Sequence, residues 1–238
     1  MKAILLSFLV ALLMVGCGGV LVDYSKLQNR NGVTYLADEE TPFTGRAESF
    51  YRNGQKRKES NYKDGKWDGL WTWWNENGQK RWEESWKDGK EDGLRTWWHE
   101  NGQKWGEGNF KDGEKVGLWA GWHENGQKSA EGNYKDGEKV GLWTWWHENG
   151  QKYSEENYNK YGGQDGLWTE WYENGQKERE ESWKDGEPDG TWTKWDENGQ
   201  KREEGNWKDG KENGLWISYN EDGTEDSRYT YKDGEIVD

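Results

Sequence analysis

The chain has 238 residues and a formal net charge of −14, and 21 tryptophans carry much of its apolar surface. An acidic surface repels nucleic acid and anionic membranes, so neither is an expected partner. The 34% of charged residues would suit a disordered chain, but disordered segments are poor in aromatic residues, and here these make up 16% at fixed spacing.

The first segment resembles a bacterial lipoprotein signal peptide. After Met1-Lys2 comes an almost wholly apolar run, residues 3–15, which is too short to span a membrane and is typical of a signal-peptide core. It ends at Met14-Val15-Gly16-Cys17, which resembles the lipobox, where cleavage leaves a cysteine to be acylated. We therefore expect a signal-peptide helix over 1–16 and lipidation, for example by palmitate, at Cys17. An ordinary signal peptide with an incidental cysteine is the alternative.

Cys17 is the only cysteine, so no intrachain disulfide can form even in an exported chain. Gly18 and Gly19 follow it, and by resemblance to Gram-negative lipoproteins the lack of an adjacent Asp favours the outer membrane over inner-membrane retention. The expected location is the bacterial cell envelope, with the membrane contacted through the lipid on Cys17.

Residues 17–44 are interpreted as the lipidated cysteine, a tether and an N-terminal cap. Asn31-Gly32 before Val33–Leu36 predicts a turn into a short strand, and Pro42 is expected to end ladder pairing. A repeat array needs an atypical end unit because its outermost strand would otherwise present a bare edge.

Residues 45–238 contain eight copies of a unit of approximately 24 residues. The sequence Asn-Gly-Gln-Lys begins at residues 53, 77, 101, 125, 149, 174 and 198, and an altered copy follows at Asp222. The single 25-residue step reflects an extra residue within 158–166. A fixed period of this size predicts a repeat array in which no unit buries its apolar side alone.

Two turn signals alternate within each unit, and each predicts a two-residue hairpin turn with positive φ. With Asn77-Gly78 as the turn, Trp74 would pair with Arg81 and Trp71 with Glu84. Trp71 and Trp86 would then share one face and Trp74 would lie on the other, unless a bulge near Gly69 changes the phase. The sequence leaves that question open.

Three columns of aromatic residues recur at the repeat period. The first contains Phe50, Trp74, Trp98, Trp122, Trp146, Trp171, Trp195 and Tyr219. The second contains Tyr62, Trp86, Phe110, Tyr134, Tyr158, Trp183, Trp207 and Tyr231. The third contains Trp71, Trp119, Trp143, Trp168, Trp192 and Trp216, and is interrupted by Arg95.

The segment Glu131-Gly132-Asn133-Tyr134-Lys135-Asp136-Gly137-Glu138-Lys139-Val140-Gly141 resembles the MORN repeat, and the Asn-Gly-Gln-Lys turn resembles its bacterial variant, grouped with YwqK-type antitoxins. The resemblance covers residues 45–238, although Ser60, Glu84, Glu156 and Glu181 stand where Gly132 stands in its copy. It implies an all-β fold, an elongated, single-layer, twisted antiparallel sheet of tandem β-hairpins. It implies a scaffold rather than one particular function.

No residue pattern predicts catalysis, a cofactor or a metal. His99, His123 and His147 occupy one column, where neighbours should lie roughly 10 Å apart, too far to share one zinc ion. We expect them at the surface near a turn. The recurring glutamates from Glu59 to Glu204 predict a structural ladder balanced by the lysines from Lys56 to Lys201. The protein is therefore not expected to be an enzyme.

The aromatic columns are first of all the means by which a thin sheet buries apolar area. They also allow a binding role, in which the additional tryptophans line an exposed groove for a protein segment or a sugar ring: Trp67, Trp73, Trp82, Trp97, Trp105 and Trp145. The leading hypothesis is a lipid-anchored scaffold for an unidentified protein partner. The alternatives are a cell-wall glycan or peptidoglycan-binding repeat protein, and an antitoxin-type component, which export makes less suitable. The sequence does not indicate the oligomeric state.

Overall fold

The computed structural model describes residues 19–237, in two compact units that divide after Lys90. Both are built from β-strands, and the only helical element among the described residues is one 3-10 turn, Tyr24–Lys26. No helix in this range has the length and apolar character needed to cross a bilayer. The expected signal-peptide helix over 1–16 and the lipidation site Cys17 lie outside the described residues.

In the described part of the first unit there are seven strands, and the last four of them pair consecutively and antiparallel. The strands are β1 (Val20–Asp23), β2 (Leu27–Arg30), β3 (Val33–Leu36), β4 (Gly45–Phe50), β5 (Lys56–Lys63), β6 (Lys66–Trp74) and β7 (Lys80–Lys87). Strands β4 to β7 follow one another in the sheet, and β2 and β3 form a separate hairpin.

The predicted antiparallel sheet of tandem β-hairpins is confirmed for the repeats, and one strand of the segment before them joins it in parallel. Strand β1 pairs with β4 in parallel, with Val20 opposite Gly45. The chain between them passes through the β2–β3 hairpin, which is long enough for the crossover that parallel neighbours require. The predicted turn at Asn31 (φ 54) and Gly32 (φ 85) into β3 is confirmed.

The segment before the repeats packs on the first repeat. Phe43, Ala47 and Tyr62 are buried together, and Val22, Tyr24, Leu27, Leu36 and Trp67 pack against them. Burial raises the pKa of the Tyr24 hydroxyl above its ordinary value. Pro42 makes a single isolated bridge to Tyr35, after which the chain enters β4. This segment therefore gives the first repeat apolar neighbours in place of a preceding repeat.

The second unit continues the hairpin series. Its strands are β8 (Lys90–Trp98, whose first residue ends the first unit), β9 (Lys104–Lys111), β10 (Glu114–Trp122), β11 (Lys128–Lys135), β12 (Glu138–Trp146), β13 (Lys152–Tyr158), β14 (Gly166–Trp171), β15 (Lys177–Lys184), β16 (Glu187–Trp195), β17 (Lys201–Lys208), β18 (Lys211–Glu212), β19 (Gly214–Tyr219), β20 (Glu225–Lys232) and β21 (Glu235–Ile236). Each strand pairs antiparallel with the next one along the chain, except that β18 and β19 both pair with β17.

The two turn signals give different turns. Asp88 (φ 50) and Gly89 (φ 84) form the predicted two-residue turn. The same prediction is wrong for Asn77-Gly78, where only the glycine has positive φ, 84°. There Asn75 N–H donates to Gln79 O (2.8 Å) and Gly78 N–H donates to Asn75 O (2.9 Å), which closes a longer loop. The Asn77 carboxamide selects this loop because its Oδ1 accepts from Gln79 N–H.

A bulge accompanies the longer loop and decides the register. Trp71 pairs with Glu84 as predicted, but Trp74 pairs with Lys80 rather than Arg81, and the register shifts between Trp73 and Trp74. A second register shift lies along the other edge of β6, where β5 pairs with it. There Asn61 lies opposite the residues around Gly69.

The bulges leave two chemically different faces. Trp71 and Trp86 share one face, with ring centroids 5.9 Å apart, as predicted. Trp74 lies on the other, beneath Lys56 Nζ at 5.5 Å. We call these the tryptophan face, which carries the second and third aromatic columns, and the lysine face, which carries the first column and the repeated Lys-Glu pairs. Each unit has both.

Candidate functional site

The lysine face is a ladder of ion pairs that recurs in all seven Asn-Gly-Gln-Lys units. The turn lysine of each unit contacts the glutamate three residues later: Lys56–Glu59, Lys80–Glu83, Lys104–Glu107, Lys128–Glu131, Lys152–Glu155, Lys177–Glu180 and Lys201–Glu204. Lysines also lie over the first-column tryptophan of the following repeat, as Lys128 Nζ does over Trp146 at 5.7 Å. Each exposed pair contributes about 0 to 1 kcal/mol to stability. Because the same pair recurs in every unit, this face serves structure.

The first-column tryptophans that the sequence offered for binding lie on this lysine face. Trp74, Trp122, Trp146, Trp171 and Trp195 each have a lysine Nζ 5.5 to 5.7 Å from the ring centroid, and Trp98 occupies the same column at the end of β8. The rings are therefore engaged by the chain's own cations.

The three histidines lie at the start of the Asn-Gly-Gln-Lys loops, near a turn as predicted, and their half-buried rings connect neighbouring repeats. His99 Nε2–H donates to Trp122 O (2.9 Å), His123 Nε2–H to Trp146 O (2.8 Å) and His147 Nε2–H to Trp171 O (3.0 Å). Tyr172 uses its hydroxyl for the equivalent bond to Trp195 O (2.9 Å). Within residues 19–237 no cluster of three or more His, Cys, Asp or Glu side chains has the arrangement to hold a metal ion.

On the tryptophan face, the third column stacks against the second. Trp119 contacts Phe110 and Tyr134 with centroids 5.3 Å away in each case, and Tyr134 contacts Trp143 at 5.0 Å. Trp143 and Trp216 are buried, and Trp71, Trp119, Trp168 and Trp192 are half-buried. These rings form the apolar core of the repeats.

One place on this face departs from the repeat. Trp73, Trp97 and Trp145 share a further column, and the other repeats have Ser49, Gly121, Glu170, Lys194 and Ser218 there, so Gly121 is the one position of the column without a side chain. In the register, Gly121 pairs with Gly106 on one side and with Ala130 on the other. Three small residues on adjacent strands thus lie side by side and leave a groove of about 360 Å³, which we call the Gly121 groove.

Aromatic rings form the walls of the Gly121 groove. Trp97, Trp105, Trp119, Tyr134 and Trp143 line it. Trp105 is 57% exposed at its edge, and Trp97 leans towards Trp119 with centroids 5.6 Å apart. Apart from the aromatic residues, Ser129 is the one lining residue with a polar side chain, so the groove suits an apolar or aromatic group with little need for hydrogen bonding.

The sequence identified part of this site. Trp97 and Trp105 from the additional tryptophans, and Trp119 and Trp143 from the third column, line the groove. Trp67, Trp73 and Trp82 pack among themselves and with neighbouring rings of the first unit, and Trp145 packs on Trp143 at 5.6 Å. The floor residues Gly106, Gly121 and Ala130 were missed. The sequence feature that could have indicated them is Gly121, which stands between Trp97 and Trp145 in its column.

A charged group lies next to the groove. Lys115 Nζ lies 4.7 Å from the centroid of Trp119 and 4.8 Å from that of Tyr134. Its counterpart one repeat later, Lys139, has its pKa lowered by burial. There, burial and a hydrogen bond to Glu156 raise the pKa of Tyr158. A cation held over two aromatic rings is an arrangement suited to binding a further ring.

Comparison with protein families assigns the repeats. The model described as MORN repeat variant matches residues 43–64, 67–88, 91–112, 115–136, 139–160, 164–185 and 188–209. No curated protein matches the chain. The eighth unit predicted from the sequence lies beyond the matched segments and forms the β19–β20 hairpin with the same loop, Asn220 N–H donating to Thr224 O (2.8 Å). With seven tandem matches over more than half its length, the chain belongs to the MORN repeat variant family.

Proposed function

We propose that this MORN repeat protein is a non-enzymatic scaffold that is anchored by lipid in the bacterial envelope, at the outer membrane, and binds another protein through its tryptophan face. The Gly121 groove is the observation that carries the proposal. It is an open apolar site at the one position of its column without a side chain, whereas the lysine face repeats its ion pairs unit after unit. Exposed apolar surface of this kind marks interaction sites.

The anchor is proposed from the sequence alone, from the apolar run over residues 3–15 and the lipobox-like Met14-Val15-Gly16-Cys17. Metabolic labelling with a palmitate analogue in a bacterial host, followed by membrane fractionation, tests it. Label in the wild-type chain and none in Cys17→Ala is expected. No label in either form would overturn the anchor and reopen the location.

Protein binding is tested by capture from envelope extracts with the full chain. The comparison is with a Trp105→Ser variant, which removes the exposed ring at the groove edge. We expect a discrete protein that is retained by the wild type and reduced with the variant. Repeated capture of no protein would contradict the proposal.

Glycan binding is a second candidate, favoured by the exposed indole of Trp105, since a flat ring beside an apolar groove can stack on a sugar. Soluble peptidoglycan fragments should then quench or shift the tryptophan fluorescence. An unchanged spectrum at saturating fragment concentration would remove this candidate.

A further inference from the structure

The tryptophan face of the second unit contains one cluster twice, complete in one repeat and one ring short in the repeat before it. In the complete copy, Lys139 Nζ lies over three rings, those of Trp143 (4.9 Å), Trp145 (4.6 Å) and Tyr158 (5.2 Å). In the preceding copy, Lys115 Nζ lies over only two, Trp119 and Tyr134. The position that would supply the third ring is Gly121.

We propose that the Gly121 groove binds an aromatic side chain, tryptophan above all, presented by a basic segment of a partner protein. This inference rests on the proposed function, since it names what the binding face of the scaffold takes. The incoming ring would occupy the place that Trp145 occupies one repeat later, where the indole packs on Trp143 with centroids 5.6 Å apart.

The chemistry of the groove favours an aromatic ring over an aliphatic side chain. An ammonium group attracts the electron-rich face of an indole or phenol, and this attraction is absent for leucine or methionine. Lys115 already lies over Trp119 and Tyr134, within 5 Å of both centroids. A second cation would be repelled there, which argues against a quaternary ammonium ligand.

Shape and charge define the partner further. The floor of Gly106, Gly121 and Ala130 lets a ring approach the backbone of three strands, and a volume of about 360 Å³ is at the small end for a binding site. One side chain therefore fills the groove better than an extended ligand. The chain carries a net charge of −14, so the complementary partner is a segment whose lysine or arginine side chains flank the aromatic residue and lie outside the groove, away from Lys115.

The test uses the full chain and two peptides, acetyl-Lys-Trp-Lys-amide and its leucine counterpart, with affinities measured by calorimetry. We expect the tryptophan peptide to bind about tenfold more tightly than the leucine peptide. Gly121→Trp supplies the missing ring from within the chain and should weaken peptide binding by about tenfold or more. The control, Lys194→Trp, adds an indole at an exposed position of the same column and should leave the affinity unchanged.

A second variant covers the case in which Gly121→Trp does not fold, since a Cβ at this position meets Ser129 Oγ at 2.9 Å. Lys115→Gln removes the cation without filling the groove, and it should abolish the preference for tryptophan over leucine. Equal binding of the two wild-type peptides, or binding insensitive to both variants, would overturn the inference.

The same variants separate this inference from the proposed function. If envelope capture succeeds equally with wild type and Gly121→Trp while the peptides fail to bind, the scaffold role stands and the groove assignment falls. If the tryptophan peptide binds in a Gly121-dependent manner while envelope extracts yield no protein, the groove assignment stands and the proposed cellular partner falls.

Discussion

Gly132 lies directly beneath the indole of Trp143, so that a Cβ on Gly132 would be 2.1 Å from Trp143 Cδ2. The same relationship joins Gly108 to Trp119 and Gly205 to Trp216. Where the repeat has Ser60, Glu84 or Glu181 at this position, that side chain is itself buried. Only some repeats have glycine at this position, and there it is required because the tryptophan of the next repeat lies flat on the strand that carries the glycine.

Gly132→Ala should therefore destabilise the protein by about 1 to 3 kcal/mol, because the methyl group forces Trp143 out of its packed position. Gly106→Ala is the matched control, a strand glycine whose Cβ would meet Trp97 Cε3 at an ordinary 3.4 Å. It should change the free energy of unfolding by less than about 1 kcal/mol. Urea unfolding followed by tryptophan fluorescence measures both, and equal losses would contradict the steric argument.

The histidine column is expected to tolerate tyrosine. His123→Tyr should keep the bridge to Trp146 O, as Tyr172 does to Trp195 O, and leave stability nearly unchanged. His123→Ala loses the bond and should cost about 1 kcal/mol. Thermal unfolding of the two variants decides between them. A metal or catalytic role would instead make them equally damaging to function.

The two turns should differ in their tolerance of exchange between Asn and Asp. Asn125 Nδ2 donates to Glu148 O (2.7 Å), and its Oδ1 accepts from Gln127 N–H (2.9 Å). Asn125→Asp keeps the acceptor, loses the donor and brings a carboxylate towards a carbonyl, so it should cost about 1 to 2 kcal/mol.

Asp136→Asn, in the other turn of the same repeat, should be neutral to within about 0.5 kcal/mol, because Asn also tolerates the positive φ of 50° found there. Denaturant midpoints compare the two variants under one buffer condition. A larger effect of Asp136→Asn would contradict the different turn types.

Glu181 should make stability depend on pH. It is 7% exposed, and burial raises the pKa of its carboxyl above the ordinary value of 4.5, with Arg179 acting in the opposite direction. The folded state therefore holds the proton more tightly than the unfolded state. This contribution to stability is complete below pH 4.5 and is lost as the pH rises through the higher folded value.

Glu181→Gln should accordingly raise the free energy of unfolding at pH 7 by about 1 kcal/mol, and the gain should shrink as the pH falls through the raised folded pKa towards 4.5. Glu180→Gln is the control, since the neighbouring carboxylate lies on the lysine face and pairs with Lys177. It should destabilise slightly or be neutral at pH 7. A gain for Glu181→Gln that grew at acidic pH would contradict the sign of the pKa shift.

The sequence by itself determined the repeat and its hairpins. The period, the alternating Asn-Gly and Asp-Gly signals and the aromatic columns are local or strictly repeated features, and they predict antiparallel pairs such as Trp71 opposite Glu84. They also predicted the lysine-glutamate pairing, because both residues recur at a fixed offset within each unit.

Tertiary structure decided what depends on neighbours distant in the chain. The register shift between Trp73 and Trp74 places Trp74 opposite Lys80 instead of Arg81, and the parallel β1 depends on how the first segment folds back. The Gly121 groove exists because three small residues from three strands meet in one row, each unremarkable in its own repeat. Strand register brings such residues together, and a periodic sequence specifies the period more strongly than the single place where a side chain is missing.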